Sequence, residues 1–219
     1  MTQTAAGHPK VLAFDVFGTV VDWHGSIMRE VDALGLGVDA DAFARAWRAG
    51  YKPAMARVRS GELGWTKIDA LHRMILDDVL REFGVASLSE AAVAELNRAW
   101  HRLDPWPDTV EGLTRLRRRH TLCTLSNGNL GLLANMAKRA GLPWDCILSA
   151  EVFDCAPAEV MLVAAHQDDL RAAARCGLRT AYVERPLEFG AAHPKDVSPD
   201  PANDLHARDF LDLAGQLGC

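Results

Sequence analysis

The chain opens with a short apolar run, Val11-Leu12-Ala13-Phe14, cut off by Asp15 and followed by Gly18 and Thr19. An unbroken apolar run of this length, closed by turn-forming residues, predicts a strand of a parallel sheet buried on both faces. From about residue 24 to 104 the period changes. Phe43, Trp47, Tyr51, Met55 and Val58 recur every three or four residues, and so do Ile68, Leu71, Ile75, Val79 and Phe83, with Gly84 standing where a helix would stop. Pro53 falls inside the first pattern and predicts a kink or a split there. Ser87, with Glu90 three residues on, predicts a capping box ahead of a third helix carrying Val93, Leu96, Trp100 and Leu103.

Pro105-Trp106-Pro107-Asp108 ends the helical block, and alternation of helix and strand then resumes. A helix is expected near Thr109 to Arg118 and a strand from Thr121 to Leu125, stopping at Ser126-Asn127-Gly128-Asn129. A helix through Leu133, Met136 and Ala140 ends at Gly141, and strand-like runs follow at Cys146 to Ala150, Val160 to Ala165 and Thr180 to Val183. This order predicts an α/β protein with a doubly wound parallel sheet and an α-helical cap domain inserted after the first strand. The core would comprise residues 1–23 and 105–219, and the cap residues 24–104. One interval is short: nine residues separate Ala150 from Val160, Pro157 among them. A parallel crossover needs about a dozen residues or more, usually helical.

Composition narrows the function classes. The 219 residues carry 24 Lys and Arg against 29 Asp and Glu, a net charge of −5, with 49% hydrophobic and 24% charged residues. That is the make-up of a globular chain large enough for a sizeable core without staples, and it excludes disordered and fibrous classes. No basic stripe argues for nucleic acid; Arg115, Arg117, Arg118 and Arg119 read as the solvated end of a helix. The five cysteines form no C-x-x-C pair and the first ten residues hold no secretory signal, so reduced thiols in a cytoplasmic protein are expected, with no zinc site. No run of 18 apolar residues suggests a membrane span. The six tryptophans (Trp23, Trp47, Trp65, Trp100, Trp106, Trp144) are expected to pack core and cap, and apolar residues on a cap helix leave room for a homodimer.

In an open parallel sheet, ligands bind beyond the carboxyl ends of the strands, where the strand order reverses. Three of the expected strands end in polar residues: Asp15, Ser126-Asn127, and His166 followed by Asp168-Asp169. Each alone also reads as a turn or cap residue. Together they are expected to converge on one crevice.

The pattern D-x-x-G-T in Asp15-Val16-Phe17-Gly18-Thr19 resembles the nucleophile motif of the haloacid dehalogenase superfamily. The stretch around Trp47-Arg48, the run Leu125-Ser126-Asn127-Gly128-Asn129, and Val163-Ala164-Ala165-His166 with Asp168-Asp169 bring the resemblance closer to the type II (S)-2-haloacid dehalogenases, over nearly the whole chain. The resemblance implies hydrolytic dehalogenation of short 2-haloalkanoic acids to 2-hydroxy acids through an aspartyl ester, with inversion at C2 and no cofactor or metal. It implies Asp15 as nucleophile, Thr19 steadying its loop and Asp169 helping to place the hydrolytic water. Arg48 and Asn127 would bind the departing halide and Ser126 the substrate carboxylate. His166, where several relatives have Asn, would line the halide pocket or be a strand-end histidine satisfied by backbone.

Phosphatases of this superfamily carry a second Asp two residues after the nucleophile, which protonates the leaving alcohol. Phe17 stands there and cannot donate a proton, whereas halide departs as a stable anion. Phe17 therefore favours carbon–halogen substitution and is placed at the substrate. A Mg²⁺-dependent phosphatase, with Asp168 and Asp169 helping to hold the ion, remains the alternative. So does a catalytically impaired relative. Dehalogenases of this type carry an essential Lys in a Lys-Pro segment after the third strand, but here Phe153 runs directly into Asp154, and no Lys lies between Lys138 and Lys195. Lys52 and Lys195 are conceivable replacements that spacing does not support. Without such a cation, weak or no dehalogenation is expected.

Overall fold

All four side chains of the first strand, β1 (Val11–Phe14), are buried, because strands lie on both sides of it and helices cover both faces. The structure is a computed structural model and describes residues 9–64, 66–147 and 156–219. After β1 the chain forms β2 (Val21–Asp22), then α1 (Trp23–Ala33), α2 (Ala40–Ala49), α3 (Tyr51–Arg59), α4 (Ile68–Glu82) and α5 (Glu90–Asn97). It returns through β3 (Asp104–Pro105), which pairs antiparallel with β2. The remaining elements are α6 (Thr109–Leu116), β4 (Thr121–Thr124), α7 (Leu130–Ala140), β5 (Val160–Ala164), α8 (Gln167–Arg175), β6 (Arg179–Val183), β7 (Leu205–Ala207) and α9 (Phe210–Gln216).

Among the described residues the main sheet has the order β4-β1-β5-β6-β7, and every pair in it is parallel. The order reverses at β1, so the sheet is doubly wound, as the alternation of apolar runs and helical periods predicts. Phe14 is level with Thr124 on one side and Val163 on the other. The residues that follow these three strands therefore emerge on the same edge.

Between β2 and β3 the helices share a core with the sheet. Trp23, Trp47 and Trp100 are almost completely buried; Trp100 stacks on Trp23 at 6.3 Å between ring centroids and meets Trp47 edge-on at 5.5 Å. Burying an aromatic side chain of this size is worth roughly 4–6 kcal/mol of transfer free energy as an upper bound. These rings thus tie the helical cap to the sheet. The packing role expected of the tryptophans holds for these three, while Trp65 lies outside the described residues.

Several local expectations need correction. The helical pattern around Pro53 does split, but at Gly50, where α2 ends and α3 begins. Pro53 occupies the third position of α3, where its missing N–H costs no intrahelical bond. A Cβ at Gly50 would come within 2.3 Å of Ile75, so the junction also packs too tightly for a side chain. The third cap helix is capped by Ser89, whose Oγ accepts from the Ala92 N–H at 3.2 Å, and not by Ser87. Glu90 instead receives two hydrogen bonds from Arg73. Of the expected strand at Cys146 to Ala150, Cys146 forms a single bridge with Cys123, and residues 148–150 lie outside the described residues. The short crossover and the Phe153–Asp154 junction lie there too. β7 and α9 have no counterpart in the sequence expectations.

Candidate active site

Asp15 follows β1 directly, and its backbone N–H still donates to the Val163 carbonyl, which fixes the residue at the sheet edge. The chain then turns through Gly18, at φ +90°, a conformation that favours glycine. The turn brings Thr19 back so that its hydroxyl donates to Asp15 Oδ2 at 2.7 Å, while accepting from the Ala165 N–H at 2.8 Å. Thr19 is buried and thereby joins the ends of β1 and β5.

His166 follows β5 at the same edge. Its Nδ1 lies 2.9 Å from Asp15 Oδ2 and 3.6 Å from Asp169 Oδ2, and its Nε2 lies 2.8 Å from Glu188 Oε1. Burial by itself would lower the pKa of the ring, but the hydrogen bonds to Asp15, Asp169 and Glu188 outweigh it and raise the value to about 11. Of the two sequence readings of His166, satisfaction by backbone is not what the geometry provides. Its partners are carboxylates.

Glu188 is fully buried. Burial would raise its pKa, but hydrogen bonding to His166 and the charges of His166 and Lys195 hold it down to about 2. Lys195 Nζ donates to Glu188 Oε2 at 2.6 Å and also to the Ala165 carbonyl. The segment carrying Glu188 is anchored by Arg185, whose guanidinium donates to the Thr19 carbonyl at 2.8 Å and pairs twice with Asp108. Sequence reasoning missed Glu188, and its place between Pro186 and Gly190 offers no periodic signal.

The cap contributes Arg48, in the last turn of α2. Its guanidinium lies 5.6 Å from the Trp23 ring centroid and 5.1 Å from that of Tyr51. Among the described residues it has no carboxylate partner. An arginine held on two aromatic faces keeps its fork of N–H donors for a ligand. Tyr51 opens α3, and its hydroxyl accepts from Asn127 Nδ2 at 2.8 Å. Burial pushes the Tyr51 pKa up, with the Asn127 bond and the Arg48 charge opposing it and the charges of Asp15 and Asp169 adding to it. The periodic pattern gives Tyr51 only a place on a helix face, yet it joins the Arg48 and Asn127 positions.

Phe17 is buried, with its ring 6.1 Å from that of Trp100. Ser126 Oγ accepts a 3.4 Å bond from the Gly128 N–H, consistent with a turn after β4. A second cap contact is made by Asn129, whose Nδ2 donates to Asp69 Oδ2 at 3.1 Å. Asp168 is exposed and lies 3.8 Å from Arg171, away from the acidic centre. Asp15, His166 and Asp169 offer ligand atoms within 4.8 Å of one another, a spacing a cation could use. Both His166 nitrogens are already committed to carboxylates, however, and Asp168, the other carboxylate expected to help hold an ion, is exposed beside Arg171, so the residues present do not fit a Mg²⁺ site.

The fold and the site define a capped, doubly wound α/β protein with a carboxylate at the reversal of strand order. Residues 9–177 match the haloacid dehalogenase-like hydrolases, and the chain belongs to that family. It is similar to the crystal structure of the defluorinating L-2-haloacid dehalogenase Rha0230, with 41% identity and a TM-score of 0.93 over 100% of this chain and 99% of that one. It is similar also to the L-2-haloacid dehalogenase PA0810, at 42% identity and a TM-score of 0.89 over 96% and 99% of the two chains. The (S)-2-haloacid dehalogenase 4A of Burkholderia cepacia is 26% identical over 204 residues, covering 80% of this chain and 83% of that protein.

Proposed function

We propose that the protein hydrolyses short 2-haloalkanoic acids to 2-hydroxy acids with inversion at C2, with residues 24–104 acting as the cap over a core of 1–23 and 105–219. The observation that carries this reading is the state of Asp15. Among the described residues, the hydrogen bonds on its carboxylate fall on Oδ2, from Thr19 and His166, which leaves Oδ1 for attack on carbon. Oδ1 displaces halide from C2 and forms an aspartyl ester. Water, placed by Asp169, then adds to the ester carbonyl, and the hydroxy acid leaves with Asp15 restored.

Arg48 and Asn127 receive the halide, Ser126 the substrate carboxylate, and Phe17 forms an apolar wall. The Tyr51 hydroxyl accepts from Asn127 and keeps its own proton to donate, so it adds a polar group to the halide side. A halide needs no general acid, which suits a site with Phe17 where a proton donor would otherwise stand.

The experiment is halide release from chloroacetate, 2-chloropropionate and fluoroacetate by the purified protein without added metal, alongside Asp15→Asn. Turnover by the wild type, lost in Asp15→Asn, is the expected result. Absence of release from all three acids by folded protein overturns the reading, and EDTA-sensitive phosphate-ester hydrolysis would replace it with the phosphatase alternative.

A further inference from the structure

The Asp15 carboxylate ends a line of alternating charges that runs into the protein. Asp15 Oδ2 meets His166 Nδ1 at 2.9 Å, His166 Nε2 meets Glu188 Oε1 at 2.8 Å, and Glu188 Oε2 meets Lys195 Nζ at 2.6 Å. Among the described residues, His166 is the one cationic side chain within ion-pair distance of Asp15. An ionised carboxylate only accepts hydrogen bonds, so a ring with a carboxylate at each nitrogen is held with both nitrogens protonated. The four groups then sum to zero charge.

Removing Lys195 would leave one imidazolium facing three carboxylates, Asp15, Asp169 and Glu188, with Glu188 cut off from water. A buried charge without its partner is costly, and the ring would be drawn toward whichever carboxylate remains ionised. The line is also held in place sterically. Gly18, in the turn that follows Asp15, would put a Cβ within 2.2 Å of Glu188 Oε1, so Glu188 sits directly against the nucleophile's loop. Trp23 Nε1 donates to the same oxygen at 3.4 Å, and the Lys195 N–H donates to the Pro186 carbonyl at 2.8 Å.

We propose that Glu188 and Lys195 are positioning residues that act through His166: Lys195 pins Glu188, Glu188 pins the imidazolium, and the imidazolium fixes Asp15 Oδ2 so that Oδ1 faces the substrate. A lysine from the loop after β6 thereby supplies, at two removes, the positive charge beside the nucleophile. The proposal rests on Asp15 being the nucleophile of the reaction proposed above. It adds Glu188 and Lys195 to the machinery, although neither reaches the substrate.

The test compares Lys195→Met, Lys195→Arg, His166→Asn and the double variant Lys195→Met/His166→Asn. The kinetic readout is kcat and KM for halide release from 2-chloropropionate. The structural readout is the downfield proton NMR signals of the His166 ring N–H groups, assigned by their loss in His166→Asn. Lys195→Met is expected to lower kcat by about tenfold or more with KM within about twofold, and Lys195→Arg to recover most of the loss. In the His166→Asn background, Lys195→Met should cost nothing further, because groups acting in series are not additive. Multiplying losses in the double variant, or an unchanged kcat in Lys195→Met, overturns the proposal.

Should the wild type release no halide, the failure belongs to the proposed reaction, and NMR decides the relay. Two ring N–H signals in the wild type, at least one of them lost in Lys195→Met, support it. One signal in the wild type, or two that persist in Lys195→Met, overturns it.

Discussion

The Tyr51 hydroxyl accepts a 2.8 Å hydrogen bond from Asn127 Nδ2, joining the first turn of α3 in the cap to the loop after β4 in the sheet. The same tyrosine ring lies 5.1 Å from the Arg48 guanidinium. One side chain thus links the two residues proposed to receive the halide. Losing a hydrogen bond of this kind is worth about 0.5–1.5 kcal/mol. Tyr51→Phe should therefore raise KM for 2-chloropropionate by roughly 2- to 10-fold while the melting temperature stays within a few degrees, as checked by initial rates and a thermal scan.

Arg48 itself tests whether planarity matters as well as charge. A lysine keeps the cation but loses the flat face that lies on Trp23 and Tyr51, and it loses the fork of donors. Charge-assisted hydrogen bonds are worth about 1.5–3 kcal/mol, so Arg48→Lys is expected to reduce kcat/KM for halide release by roughly 10- to 100-fold. Activity equal to the wild type would show that Arg48 does not contact the departing halide.

Gly18 offers a stability test. Its φ of +90° disfavours any side chain, and the added methyl would collide with Glu188. Gly18→Ala should lower the unfolding free energy by about 1–3 kcal/mol, measurable as a shifted urea midpoint with an unchanged slope.

His72 provides a pH test away from the reacting atoms. It is buried against Trp100 at 4.3 Å between centroids, and its Nδ1 has no hydrogen-bond partner among the described residues. Burial first, and then the Arg48 and His101 charges, push its pKa down to about 3 from an ordinary 6.5. Between these values the unfolded chain binds a proton that the folded protein refuses, so stability falls as pH drops from 6.5 toward 3. His72→Phe should flatten that part of the acid limb in a series of melting temperatures. His166 has the opposite sign. Its pKa is raised to about 11, so its stabilising contribution is complete below 6.5 and declines as pH rises toward 11.

Much of this molecule was legible from local pattern. The apolar runs at 11–14, 121–125 and 160–165 read as buried parallel strands, and the strands form at 11–14, 121–124 and 160–164, where neighbouring strands and helices bury all but Thr121, which is half-buried. Asp15, Ser126-Asn127 and His166 read as one crevice because strand ends in a doubly wound sheet share an edge. β7 was missed because it is a short strand at the sheet edge, and short edge strands carry little periodicity. The Ser87–Glu90 spacing matches a capping box, but Ser89 precedes the same apolar period, and only the backbone shows that the Ser89 hydroxyl meets a free N–H.

The sequence by itself determined the fold class, the carboxylate at the end of β1, and the absence of a proton donor two residues later, since each depends on residue type at a fixed local spacing. It also showed that no lysine stands between Lys138 and Lys195. Only the tertiary structure decided what surrounds the carboxylate. Glu188 and Lys195 are 173 and 180 positions from Asp15 along the chain, and no spacing rule reaches across such a separation. They arrive there because β6 lies beside β5, because Arg185 anchors the loop that follows, and because a buried glutamate must find its cations in space.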